Sequence, residues 1–175
     1  MGKKEDIYED ENIEPSVMDS DDSKEFLWGY SVSYQRYNAH TTRNSMRRIK
    51  HAKLMLVQTP YTKDERTELR RKVNHLINRK IIRKYGKRSE PDVRDVRDLI
   101  TDFLIKVFRH TKEQLTIYED FSDQSSVEFV ISVPTIWSSE GSRVLQVCVE
   151  TAIDATGLGR LKDGSVDNLF IIPEP

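Results

Sequence analysis

The chain predicts an α/β fold, helical in its amino-terminal half and closed by a βαβ unit, and three observations lead there. Two short apolar runs, residues 127–133 and 169–172, flank a segment whose apolar residues recur at helical spacing. Ahead of them an apolar stripe of helical period extends from Val93 to Leu115. Earlier still, Leu69, Val73, Leu76, Ile77 and Ile81 mark a second amphipathic helix whose other faces are basic. A chain of 175 residues is of a size for one core. With 33% charged against 37% hydrophobic residues, part of it is expected to stay outside that core.

In chain order, residues 1–25 are rich in Asp and Glu and poor in side chains worth burying, so packing cannot offset the entropy of ordering them. They read as an acidic flexible tail. Residues 26–32, Phe-Leu-Trp-Gly-Tyr-Ser-Val, are aromatic and β-branched and read as a short strand with Trp28 and Tyr30 on one face. Residues 50–57 are short and amphipathic, and Pro60 ends that pattern because it lacks an amide hydrogen and disfavours helix just before it. The basic helix begins near Asp64. Glu90-Pro91-Asp92 opens the next one, with proline preset for a first turn and acids favoured by the positive end of the helix dipole. His110 falls near the expected carboxyl end of that helix, where a cation suits the dipole.

The run 127–133 ends at Pro134 and is almost continuously apolar, which predicts a parallel strand buried on both faces. Ser138 or Ser139 can cap the helix that follows, carried by Val144, Leu145, Cys148, Val149 and Ala152 and stopped by Gly157. Residues 169–172 form the second buried strand. A helix between two such strands is a βαβ unit with an expected right-handed crossover. The domain reading is therefore a tail over 1–25 and one incomplete domain over 26–175, with a basic helical segment at 43–88 and the helix plus βαβ unit at 92–175.

Charge is unevenly spread, although the net value is only -1. Lys plus Arg against Asp plus Glu runs 3 to 10 over residues 1–25, 16 to 3 over 43–88 and 3 to 10 over 119–175. A basic middle can hold an acidic partner, nucleic acid or an anionic membrane surface, and it can equally attract the chain's own acidic ends. The candidate polyanion contacts are Arg70, Arg71, Lys72, Arg79, Lys80, Arg83 and Lys84.

Several chemistries are excluded by spacing. The one cysteine, Cys148, allows no internal disulfide and no cysteine cluster for zinc, and fits a reducing compartment, cytoplasmic or nuclear. The sequence has no apolar run long enough to span a bilayer, and Asp6 stands where a myristoylation signal wants Ser or Thr. His40, His51, His75 and His110 form no i, i+4 metal pair. Residues 156–160, Thr-Gly-Leu-Gly-Arg, lack both phosphate-loop spacings, and no serine lies in Gly-x-Ser-x-Gly.

The run Phe-Val-Ile-Ser-Val-Pro-Thr-Ile-Trp-Ser at 129–138, the helix ending Ala-Thr-Gly-Leu at 155–158, and Leu-Phe-Ile-Ile-Pro-Glu-Pro at 169–175 resemble, in that order, the seventy-kilodalton heat-shock chaperone family. In that family an apolar strand ends in Val-Pro, a helix ends near Ala-Gly-Leu, and the next strand runs into Glu-Pro. The Trp28-Gly29-Tyr30 strand and the long helix through His110 look like a divergent branch, so the resemblance covers roughly residues 12–175. It implies a partial actin-like ATPase domain of the ribonuclease H-like class.

The same resemblance assigns roles to residues. Glu174 matches the acidic residue at the floor of the nucleotide cleft, where it helps position the water attacking beside magnesium. Pro134 matches a proline that relays nucleotide state between lobes. Its basic partner falls eight residues downstream in the family, where this chain has Ser142, and Arg143 one position later takes that part. The family's first phosphate loop should precede residue 13, where only acidic sequence stands, and the second follows the Glu-Pro. The expectation is a truncated chaperone-like ATPase-domain protein without ATP turnover of its own, which needs ATP and magnesium only if the missing parts are supplied. The alternative is a binding module acting through residues 43–88. Without a neighbouring strand, residues 127–133 should leave an apolar sheet edge open to self-association.

Overall fold

The structure is a computed structural model, and it describes residues 17–19, 26–29, 49, 52, 56, 63–83 and 95–174. Its elements in chain order are β1 (Val17–Asp19), β2 (Phe26–Trp28), α1 (Lys63–Asn78), α2 (Asp95–Tyr118), β3 (Phe129–Val133), α3 (Ser139–Thr156) and β4 (Leu169–Pro173). The described residues are therefore mixed α/β, with three helices, an antiparallel β1–β2 pair and a parallel β3–β4 pair. Lys84, Tyr30, Pro60, Val93 and most of residues 1–62 lie outside the described residues.

The first strand pair takes three residues from the acidic stretch that reads as a tail, with Val17 opposite Trp28 and Asp19 opposite Phe26. Of the expected strand 26–32, Phe26–Trp28 is a strand and Gly29 turns the backbone into the left-handed region at φ 57°, while residues 30–32 lie outside the described residues. Phe26 and Leu27 are buried. Trp28 meets α2 edge-on, its ring 6.1 Å from Phe103 and 5.7 Å from His110.

That contact corrects the reading of His110. The helix continues eight residues beyond it to Tyr118, so His110 sits away from the carboxyl end and no basic residue occupies the last turn. The apolar stripe carries the helix on: Leu115 is half-buried and the chain turns only at Asp120, where φ is 51°. Val96, Leu99, Ile100, Ile105 and Phe108 form the buried side of α2.

At the centre, α2 packs broadly on α3, whose Leu145, Cys148, Val149, Ala152 and Ile153 are buried against it. Both ends of α3 are built as its sequence predicts. Ser138 caps the start in extended conformation, its Oγ accepting from Gly141 N at 3.3 Å, and Gly157 at φ 67° donates its N–H to the Ile153 carbonyl at 2.8 Å. The dipole's negative end receives its cation from another helix. Lys112 of α2 reaches the Thr156 carbonyl at 3.4 Å and pairs with Asp123 at 2.7 Å.

The strands differ from expectation in their burial. β3 and β4 pair in register from Phe129 opposite Leu169 to Val133 opposite Pro173. Phe129 and Val133 are buried against the helices, with Phe108 and Phe129 rings 5.2 Å apart. The other face is open: Val130 is 58% exposed, Phe170 46% and Ile172 44%. Neither strand is buried on both faces. A continuous apolar run cannot distinguish two covered faces from one, and among the described residues helices cover only one side.

Candidate functional site: the groove at the strand ends

A parallel strand pair with a helical crossover gathers its carboxyl ends and the helix amino terminus at one edge, and ligands of open α/β sheets bind in the crevice so formed. Here that edge holds an open groove of about 790 Å³. Val133, Pro134, Ile171 and Pro173 contribute the strand side, and Trp137, Ser139, Glu140, Ser142, Arg143 and Gln146 the loop and first turns of α3.

The groove wall is stiffened by short local bonds. After Val133 the proline ends the ladder, and the turn closes as Trp137 N donates to the Pro134 carbonyl at 2.9 Å. Residue 174 then ties the two strand ends together. Its N–H donates to the Val133 carbonyl at 2.7 Å, and its own carbonyl accepts from Thr135 Oγ1 at 2.9 Å. Thr135 was not singled out by sequence, and its role follows from the turn chemistry that places a hydroxyl just past a strand-ending proline.

Of the residues to which the resemblance gives roles, Pro134 and Arg143 both line the groove, and Glu174 adjoins it through the backbone bonds just described. Glu174 is half-buried and Arg143 exposed. The edge also carries Glu140 in the first turn of α3, a favourable position for an acid by the dipole. Among the described residues no group of three or more His, Cys, Asp and Glu sits together to hold a metal ion.

The opposite, amino-terminal edge of the pair is closed. Asn168 Nδ2 donates to the Val127 and Gly159 carbonyls, both at 2.8 Å, while Phe129 N donates to the Asn168 carbonyl at 2.8 Å. Gly159, at φ 60°, passes so close that a Cβ there would stand 2.7 Å from Val127 Cβ. One edge is thus stapled shut and the other left open.

Among the described residues, the candidate polyanion contacts Arg70, Arg71, Lys72, Arg79, Lys80 and Arg83 do not line the groove, and Lys84 lies outside the described residues. Leu69, Val73 and Leu76 bury one side of α1, leaving Arg71 exposed on the helix and Lys80 and Arg83 exposed just after it. Glu68 pairs with Arg71 at 3.3 Å and Lys72 at 3.6 Å. Arg70 is half-buried, its Nε without a hydrogen-bond partner. Lys80 adopts φ 59° in the turn that stops α1, and the segment is held to α2 where Arg83 N donates to Asp102 Oδ2 at 2.6 Å.

The fold and groove define a mixed α/β chain with an open strand-end crevice beside a capped helix. No protein-family model matches the chain, and comparison with curated proteins and with solved structures finds no match. Among the described residues no helix is long and apolar enough to cross a membrane.

Proposed function

We propose that the chain is a segment of an actin-like ATPase domain of the heat-shock chaperone kind, and that the groove is the part of its nucleotide cleft that β3, α3 and β4 contribute. One observation carries this reading: Pro134, Arg143 and the Glu174 backbone meet at the same open edge of a parallel strand–helix–strand unit. Nothing in elementary packing requires that edge to stay open while the other is stapled by Asn168.

This reading predicts no ATP turnover by the chain alone. Phosphoryl transfer works by positioning several groups around phosphates and metal, and a single Glu174 does not supply them. Bound nucleotide would supply the reacting phosphoryl group, while this chain's part is to shape the floor of the cleft and hold the Glu174 main chain in place. Arg143, exposed beside Pro134, is the side chain through which the groove would act on a neighbouring lobe.

Calorimetric titration with magnesium-ATP, with phosphate release followed in parallel, tests the second statement. The expected result is a dissociation constant weaker than about 1 μM, or less than roughly 8 kcal/mol of binding, and no release. Tighter binding or turnover would show an assembled phosphate site and contradict it. The family reading is tested by the encoding transcript. An in-frame phosphate-loop strand upstream and a glycine-rich half downstream are expected, and the absence of both overturns it.

A further inference from the structure

Residues 69–89 contain nine Lys and Arg and no Asp or Glu, an acid-free stretch in a chain of net charge -1. The structure presents part of it as a surface. Arg71 has a side chain 66% exposed, and Lys80 and Arg83 are exposed beyond the end of α1. Opposing charges more than about 8 Å away are largely screened at physiological salt, so a local patch attracts anions even when the whole chain is slightly negative.

The apolar side of α1 argues against insertion of the helix into a membrane. A helix that lies in a bilayer must bury its apolar face among lipid chains. That face is already used, since Leu69, Val73 and Leu76 are 5%, 0% and 1% exposed within the protein core. What remains are exposed cations, Arg71 on α1 and Lys80 and Arg83 after it, which can pair with backbone phosphates without reading bases. We infer that α1 and the turn after it form a sequence-independent nucleic-acid contact, separate from the groove and independent of the nucleotide reading.

Glu68 sets the strength of this contact. Its carboxylate spans Arg71 and Lys72, so it occupies cations that a phosphate would otherwise take. The glutamate is itself 44% exposed, and exposed pairs of this kind are weak enough for a phosphate to displace. Removing its charge frees Arg71 from this pairing, whereas removing Arg71 or Arg83 takes a phosphate partner away.

The test is fluorescence polarisation of the full chain with two labelled DNA duplexes of unrelated sequence over a salt series, with phosphatidylserine vesicles as a parallel ligand. The expected affinity lies between about 10⁻⁴ and 10⁻⁶ M, equal for both duplexes, and falls linearly on logarithmic axes as salt rises. Arg71→Gln and Arg83→Gln should each flatten the salt slope by about 0.9, the contribution of one phosphate contact on duplex DNA. Glu68→Gln should tighten binding. Absence of binding at low salt, slopes unchanged in both arginine variants, or vesicle binding stronger than duplex binding would each overturn the inference. Circular dichroism of the variants separates loss of contact from loss of fold.

Discussion

The α2–β3–α3–β4 region and the α1 segment differ in how their ends are made. In the first, α3 carries its own stops, Ser138 and Gly157, and Asn168 and residue 174 tie the strand ends across the parallel pair. In the second, α1 ends on Lys80 in a conformation glycine would adopt without strain, and it depends on Asp102 of α2 to hold the following turn. The core is likewise unequal, since α3 buries six residues and α1 three. A segment with locally encoded ends needs few outside contacts to persist, while one ended by tertiary contacts opens when those contacts are lost.

The largest effect should come from the residue on which the whole contrast turns. Leu99 of α2 is 1% exposed, and Leu99→Ala should cost about 2–5 kcal/mol in chemical denaturation, unfolding both regions together. A loss confined to α1 would mean that the helices do not share a core.

Closure of the lower strand edge is probed by paired glycines. Gly159→Ala must fit a methyl 2.7 Å from Val127 Cβ and 2.9 Å from Phe129 Cε2 at a left-handed φ, and should cost roughly 2–4 kcal/mol. Gly164 has a similar φ but open space around it, so Gly164→Ala should cost only about 1 kcal/mol. Equal losses would show that backbone conformation alone, rather than the close approach, makes the site intolerant.

Cys148 reports on the α2–α3 interface through pH. Burial pushes its thiol up to about 11 from an ordinary 9.0. The unfolded chain therefore ionises first, so the stability that the neutral thiol contributes is present below about pH 9 and lost as pH rises toward about 11. Cys148→Ala should flatten that alkaline decline in denaturation midpoints. An unchanged slope would place the alkaline sensitivity elsewhere.

The smallest effects compare the two kinds of helix end directly. Ser138→Ala removes the α3 cap and should cost about 1 kcal/mol, whereas Lys80→Gly relieves the left-handed position and should stabilise by roughly 0.5–1 kcal/mol. Opposite signs in thermal denaturation support the contrast, and a cost from Lys80→Gly would contradict it.

What the sequence made legible follows the same division. The α3 helix, its serine cap and its glycine stop were readable because their causes are local, as was the apolar stripe of α2. The open face of Val130, Phe170 and Ile172 was not, because burial on one face or two is decided by what packs there and leaves the same apolar run in the sequence. The stripe to Leu115 already carried α2 past His110, but the packing of His110 on Trp28 was not legible, because a histidine near a helix end and one against a distant ring look alike in one dimension. Pro134 and Arg143 could be named in advance, but that they share a groove depends on the parallel pairing of strands some forty residues apart in sequence, as in Ile131 opposite Ile171. The left-handed Lys80 had no sequence signal, since lysine is uncommon in that conformation.

Native-state amide hydrogen exchange tests the contrast between the regions most directly, because it reports the opening free energy of each segment under conditions where the whole chain stays folded. Amides of α2 and α3 should exchange only through global unfolding, those of β3 bonded to β4 close behind, and those of α1 through an opening that leaves the rest protected. If α1 amides are as slow as those of α3 and respond to denaturant with the same slope, the chain opens as one unit and the contrast is contradicted.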